Sequence, residues 1–296
     1  MPNAKLSNYF HLHFIIFIWS FTAILGKLIS LDAIPLVWAR MLFAVLFILG
    51  FMWVRNYSFR VSRRIRIMLV LGGIAIALHW ITFFHAIKVA NVSITLATMA
   101  SGALFTAILE PIWYKRKFIG YEIVFGILVI LGLAIIFQVN SEYELGFWLG
   151  LLSTFFGAIF TLINGQLVMK ERPTTITFYE LLVGAICISI YGFSVSDLTS
   201  PFKTLPLTDW FYLAILVTVC TAYAFIGSVK VMRYIRPFTV MLTVNLEPVY
   251  GIILAYFIFG DDEKMHPNFY LGALIILITV VTNGILKNRK KPAPEI

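Results

Sequence analysis

Charge is what this sequence has least of. Asp, Glu, Lys and Arg make up 12% of its 296 residues, about half the share usual in a soluble domain. That scarcity excludes a pair of soluble domains and points to many short spans in a lipid bilayer. Cysteine is nearly missing as well: Cys187 and Cys220 stand in separate apolar runs, which gives neither a disulfide framework nor a zinc spacing. No Gly-rich loop opens on Lys-Ser/Thr, and there is no His-Glu-x-x-His and no Gly-x-Ser-x-Gly elbow. ATP-driven pumping therefore has no motif to rest on. No catalytic residue, metal ligand or cofactor is assigned. Acidic residues are fewer than basic ones, 14 against 23. The resulting positive charge lies in short loops and not along one face, so no nucleic-acid partner is expected.

What is present in abundance is apolar length: 60% of the residues are hydrophobic. Ten runs, near 10–30, 35–54, 67–87, 92–114, 118–137, 146–168, 175–194, 210–231, 237–259 and 268–286, are each long enough to cross about 30 Å of hydrocarbon as helix. The first is too long for a signal-peptide core and reads as a retained span. Pro35, Pro173, Pro237 and Pro267 fall at span starts, where a first helical turn tolerates them. With the N-terminus in the cytoplasm, the inner loops collect most of the basic residues. Among them are Arg55, Arg60, Arg63, Arg64 and Arg66, then Lys115, Arg116 and Lys117, then Arg233 and Arg236, and finally Lys287, Arg289, Lys290 and Lys291. The alternation holds at every loop, which fixes an even span count with both termini cytoplasmic.

The two halves repeat. Pro35 matches Pro173 at an offset of 138, His85 to Lys88 lies over Gly227 to Lys230 at 142, and Gly126 to Leu131 over Gly272 to Leu277 at 146. Five spans per repeat is odd, so the second copy must enter the membrane from the opposite face, the usual plan of a secondary transporter with its site at the midplane. Trp19-Ser20 in span one, Pro35 with Arg40 in span two, and the repeat-ending stretches Leu109 to Gly132 and Leu246 to Ile278 complete the pattern. On these residues the chain resembles the EamA-type transporters of the drug/metabolite transporter superfamily. The resemblance implies an all-α integral membrane protein of ten transmembrane helices, built as two inverted five-helix EamA repeats over residues 10–137 and 146–286. It implies a central cavity lined by spans one to four and six to nine, with spans five and ten peripheral. It also implies alternating access and export of small metabolites such as amino acids across a bacterial inner (plasma) membrane. One chain supplies both repeats, so a monomer suffices. The chain departs from symmetry at one point, carrying Gly102 where its second half carries Pro248, so a proline kink is expected in the second half only.

Depth within each span sorts the polar residues. The expected cavity set is Trp19, His79, Trp80, Phe84, Ser101, Tyr223, Asn245 and Glu247, with Glu247, Glu110 and Arg40 as gate or coupling residues. Glu247 leads because a carboxylate at membrane depth costs about 2.5–3.5 kcal/mol even on lenient scales. It reads as a group that binds an amine or guanidine-like part of a substrate, or a coupling proton. The bland alternative is a glutamate that caps a freed backbone amide or pairs with Arg40 or a histidine. His79-Trp80 with Phe83 and Phe84 forms an aromatic wall suited to an apolar side chain or a cation, or is ordinary helix packing. Glu110 and Glu180 stand near the cytoplasmic ends of their spans, where an interfacial role competes; Arg40 either snorkels or holds a carboxylate. A membrane-embedded sensor or enzyme without transport is the other functional reading. An enzyme would need a nucleophile with a base, or paired metal ligands, on one face, and neither cysteine has a histidine partner in sequence.

Overall fold

The computed structural model describes residues 5–115, 117, 120–139, 141–195, 197–235 and 237–289. Arg116, Arg236, Lys290 and Lys291, named above for the charge alternation, lie outside them. The described residues are helical almost throughout, as a backbone without water to bond must be. The first half holds α1 (Leu6–Leu28), α2 (Ala33–Val54), α3 (Arg63–Val89), α4 (Val92–Met99), α5 (Gly102–Tyr114) and α6 (Gly120–Val139). The second holds α7 (Glu144–Leu167), α8 (Pro173–Val195), α9 (Leu207–Val217), α10 (Ala224–Val231), α11 (Pro237–Val244), α12 (Glu247–Phe259) and α13 (Pro267–Arg289).

Three of the apolar runs are interrupted. α4 and α5 part at Ala100-Ser101, α11 and α12 part at Asn245-Leu246, and a π-helical turn, Thr218–Tyr223, joins α9 to α10. Among the described residues, seven helices are long and apolar enough to cross a membrane, counting Val92–Tyr114 and Leu207–Val231 as one each. The other three expected runs are the interrupted pair α11–α12 and two shorter apolar helices, Val124–Ile136 and Pro267–Thr279. Large apolar side chains such as Trp53, Ile190 and Phe257 point outward and are more than two-thirds exposed, a surface suited to lipid and not to water.

Packing interlocks the halves. α3 of the first half lies along α7 and α8 of the second: a side chain at Gly72 would strike the Glu180 carboxylate, and one at Gly73 the Glu180 backbone. α6 and α13 sit against each other, with Gly132 and Gly272 each bringing the other's carbonyl to within 2.9 Å or less of where a Cβ would stand. Small residues permit this close backbone approach, and in lipid close approach is what holds helices together.

One end of the bundle is tied across the halves by carboxylates. Glu263, just after α12, pairs with Lys27 at 2.9 Å and accepts from the backbone amides of Val92 and Ser93 at 3.0 and 2.9 Å and from Ser93 Oγ at 2.7 Å. It thus occupies the amide-rich start of α4, where the helix dipole favours an anion. Asn91 caps the same helix, accepting from Ile94 N at 2.8 Å. Asp209 at the start of α9 accepts from Ser30 N and Ser30 Oγ at 2.8 and 2.6 Å. Asp209 and Glu263 are both buried.

Candidate functional site

A small cavity of about 80 Å³ lies between the halves. The first half contributes Trp19 and Thr22 from α1, Arg40 from α2, His79, Trp80 and Phe83 from α3 and Met99 from α4. The second contributes the α7 face around Gly157 and Phe160, Phe225 of α10, Met241 of α11 and Glu247 of α12. Neither α6 nor α13 reaches it. α8 also contributes nothing to the lining, although its span was expected there; it is turned toward α3, where Glu180 accepts from Asn164 Nδ2 at 2.9 Å.

Arg40 is the largest side chain buried almost completely, at 1% exposure. Its Nε donates to Thr221 Oγ1 at 2.6 Å and its Nη2 approaches the Cys220 carbonyl at 3.5 Å. Both acceptors belong to the π-helical turn. Thr221 Oγ1 in turn donates to Leu216 O at 2.6 Å, five residues back, the spacing a π turn sets. The guanidinium lies over the Trp80 ring, 3.8 Å from its centroid, a cation–π contact strengthened by exclusion of water. Nη1 has no partner.

Glu247 opens α12 at 7% exposure. Ser20 Oγ, fully buried in α1, donates to Ile16 O at 3.1 Å and to the Glu247 carbonyl at 3.3 Å, so the first half holds the turn that carries the acid. Arg40 and Glu247 line the same cavity. Among the described residues, though, neither enters an ion pair within 4.0 Å. His79 is held by Ser153: its Nδ1 lies 2.9 Å from both Ser153 Oγ and Ser153 O, and Ser153 Oγ donates to His79 O at 2.9 Å. Gly157 stands against the same imidazole. Phe160 and Phe225 stack at 5.1 Å, and Phe225 meets Trp80 at 5.8 Å.

The structure therefore gathers Trp19, Arg40, His79, Trp80 and Glu247 at one cavity and places the other expected residues elsewhere. Phe84 is wholly buried against Gly26, with its ring 5.5 Å from the Arg40 guanidinium; Phe83 takes the wall position. Ser101 sits in the α4–α5 break and donates to Thr98 O at 2.7 Å. Asn245 lies in a separate groove between α4, α12 and α13 with Pro248 and Phe269, and both of its amide atoms lack partners. Tyr223 faces away, in a basic pocket with Arg172 and Lys230, its hydroxyl 3.2 Å from His11 Nε2. Glu110 is buried in α5, off the lining. These placements share one cause. The depth of each residue follows from counting along its helix, but the direction it faces depends on how the helix is rotated against its neighbours. Sequence reading missed Thr221 and the stacked Phe160 and Phe225. No signal marks the π turn; the aromatics carry none that separates cavity wall from packing.

The sequence matches the model of the EamA-like transporter family over residues 9–138 and again over 144–284. No curated protein matches it. A solved structure, described only as a crystal structure of protein, superposes with TM-score 0.71 over 97% of this chain and 100% of its own at 12% identity, a likeness of fold alone. Two successive family matches over nearly the whole chain, in an all-helical bundle with apolar helices of membrane length and a cavity between its halves, show that the protein belongs to the EamA-like transporter family.

Proposed function

We propose that the protein is a secondary transporter that exports small metabolites, amino acids among them, by alternating access around this cavity. In this reading ten helices cross a bacterial inner membrane as two inverted repeats, with both termini in the cytoplasm. One observation carries it: Arg40 and Glu247, a basic and an acidic side chain, are both buried at one cavity built from both halves, with no ion pair between them and no other Asp, Glu, Lys or Arg in its lining among the described residues. Buried charges at membrane depth are costly and mark substrate or ion paths. The carboxylate ties of Glu263 and Asp209 lie at the end that the charge alternation puts outside. Opening toward the outside then separates Glu263 from Lys27, Val92 and Ser93 while the opposite end closes.

Glu247 is the candidate for proton coupling, with Arg40, Trp19, His79 and Trp80 around the substrate. Purified protein in proteoliposomes loaded with amino acids, then with other metabolite classes, tests the reading by counterflow. Flux of at least one class is expected. No flux of any class would sink it and leave a sensor or an enzyme.

A further inference from the structure

Away from the central cavity, a pocket of about 680 Å³ opens where the ends of α1, α2, α8 and α10 come together. That volume falls within the roughly 300–1,000 Å³ usual for small-molecule sites. In the orientation proposed above, this is the cytoplasmic end of the bundle. Arg172 before α8, Lys230 in the last turn of α10 and Arg233 just after it stand in the lining, and no Asp or Glu does. Among the described residues none of the three enters an ion pair. Glu171, the carboxylate beside them in sequence, is turned to the Arg172 amide and accepts from it at 3.2 Å. Arg233 is fixed in place: its Nε donates to Val168 O at 3.0 Å and its Nη2 to Glu171 O at 2.7 Å, which leaves Nη1 over. The Arg172 guanidinium lies over the Tyr57 ring, 4.9 Å from its centroid, and Lys230 is exposed. A cleft lined by charge of one sign concentrates counter-ions, and α8 begins at its wall, at Pro173 and Thr174, where the helix dipole adds to the pull on an anion.

Deeper in, the lining turns apolar, with Phe47, Ile48, Ala222 and Ile226. Thr218 lies twelve residues before Lys230 on the same run, about 18 Å of helix farther into the bilayer. Phe47 and Phe51 are 53% and 40% exposed, so the groove opens sideways toward lipid. Cations at the membrane surface above an apolar groove repeat the order of a phospholipid, headgroup over chains.

We propose that this pocket seats the phosphate of an anionic phospholipid of the cytoplasmic leaflet. Arg172, Lys230 and Arg233 Nη1 donate to the phosphate oxygens, and the acyl chains run along Phe47, Ile48 and Ile226. Basic pockets between transmembrane helices on this side suit such headgroups. A zwitterionic lipid brings its own ammonium to three cations and gains little. A free phosphate matches the charge but leaves the apolar groove empty. The site also shares the π turn with the cavity: Thr218, Ala222 and Tyr223 face the pocket, while Thr221 and the Cys220 carbonyl hold Arg40. A seated lipid therefore braces the turn that carries Arg40. The proposal rests on the orientation given above and stands whatever the cavity carries.

Native mass spectrometry of the detergent-purified protein, titrated with one lipid at a time, tests this, with the melting temperature as a second readout. The probes are phosphatidylglycerol, phosphatidylcholine with the same acyl chains, and glycerol 3-phosphate, which has the phosphate and no chains. Phosphatidylglycerol should bind at least about tenfold more tightly than phosphatidylcholine, and glycerol 3-phosphate should leave the melting temperature unchanged. Arg172→Gln combined with Lys230→Gln should weaken phosphatidylglycerol by about tenfold or more, since each surface cation is worth roughly fivefold. Arg63→Gln combined with Arg64→Gln removes an exposed pair at the same end but outside the pocket. It should change the affinity by less than about twofold, because charges out of contact are screened. Phosphatidylcholine bound as tightly as phosphatidylglycerol overturns the phosphate contact. Equal weakening by the two pairs makes the attraction a property of the whole basic face and overturns the site. Glycerol 3-phosphate as effective as the lipid gives the pocket to a water-soluble anion instead. Should the Arg172 and Lys230 double variant fail to fold, either single variant, expected at about fivefold, takes its place.

Discussion

The two interrupted helices, α4–α5 and α11–α12, break at matching places in the two halves by different chemistry. The second break carries Pro248 in the first turn of α12, with Thr243 Oγ1 bonded to Thr239 O at 2.8 Å. The first has no proline. Thr98 donates to Thr95 O, Ser101 to Thr98 O and Thr106 to Gly102 O, at 2.7, 2.7 and 2.8 Å. Hydroxyls folded back onto the carbonyls one turn earlier bend a helix and meet the acceptors that a break frees. The expected one-sided proline kink is therefore a two-sided interruption. What remains one-sided is charge, since only the second break delivers a carboxylate to the cavity.

Removing that carboxylate should give the largest effect. Glu247→Gln is expected to cut pH-gradient-driven transport by about 100-fold, the scale of deleting one buried charge partner, while passive counterflow persists at saturating substrate. Unchanged proton dependence in the variant would exclude coupling at Glu247. Next comes the cross-half tie at the start of the first interrupted helix. Glu263→Ala leaves Lys27 and two amides without their acceptor and should lower stability by about 3 kcal/mol, read as a lower melting temperature in detergent. A melting curve matching the wild type would show that the tie holds nothing.

Gly102 stands in the first half where Pro248 stands in the second. A Cβ there would meet Met241 Cε at 2.7 Å and Thr154 Cγ2 at 3.3 Å. Gly102→Leu should therefore overpack this contact between halves, by about 1–3 kcal/mol, and slow counterflow. A variant as fast and stable as the wild type would mean that the first break has slack. The smallest change is expected from Pro248→Ala, because the first half breaks without proline: about 1 kcal/mol or less in stability and transport within a few-fold. A large transport loss would show that proline, and not the polar network, makes the second break.

Some of this was legible in the residues. Arg40, His79, Trp80 and Glu247 stood out because a helix rises 1.5 Å per residue, so position along a span is depth in the membrane. Tyr223, Asn245, Ser101 and Phe84 have suitable depth and face elsewhere. In a soluble helix an apolar stripe would show which way each residue turns. Between lipid and a helical neighbour, both apolar, that stripe fades. Glu180 shows the same limit from the other side. It looks like an end-of-helix charge in sequence, and packing buries it, as it buries Asp209 and Glu263.

By itself the sequence determined that this chain is a bundle of apolar helices repeated in two halves with charge confined to few places, because hydrocarbon leaves a backbone little other choice. Only the tertiary structure decided which of the polar residues meet. Helix rotation, the π turn that holds Arg40 and the contact of Ser20 with Glu247 are set by side chains far apart in the chain. They bring one basic and one acidic side chain to a shared cavity with no ion pair between them among the described residues.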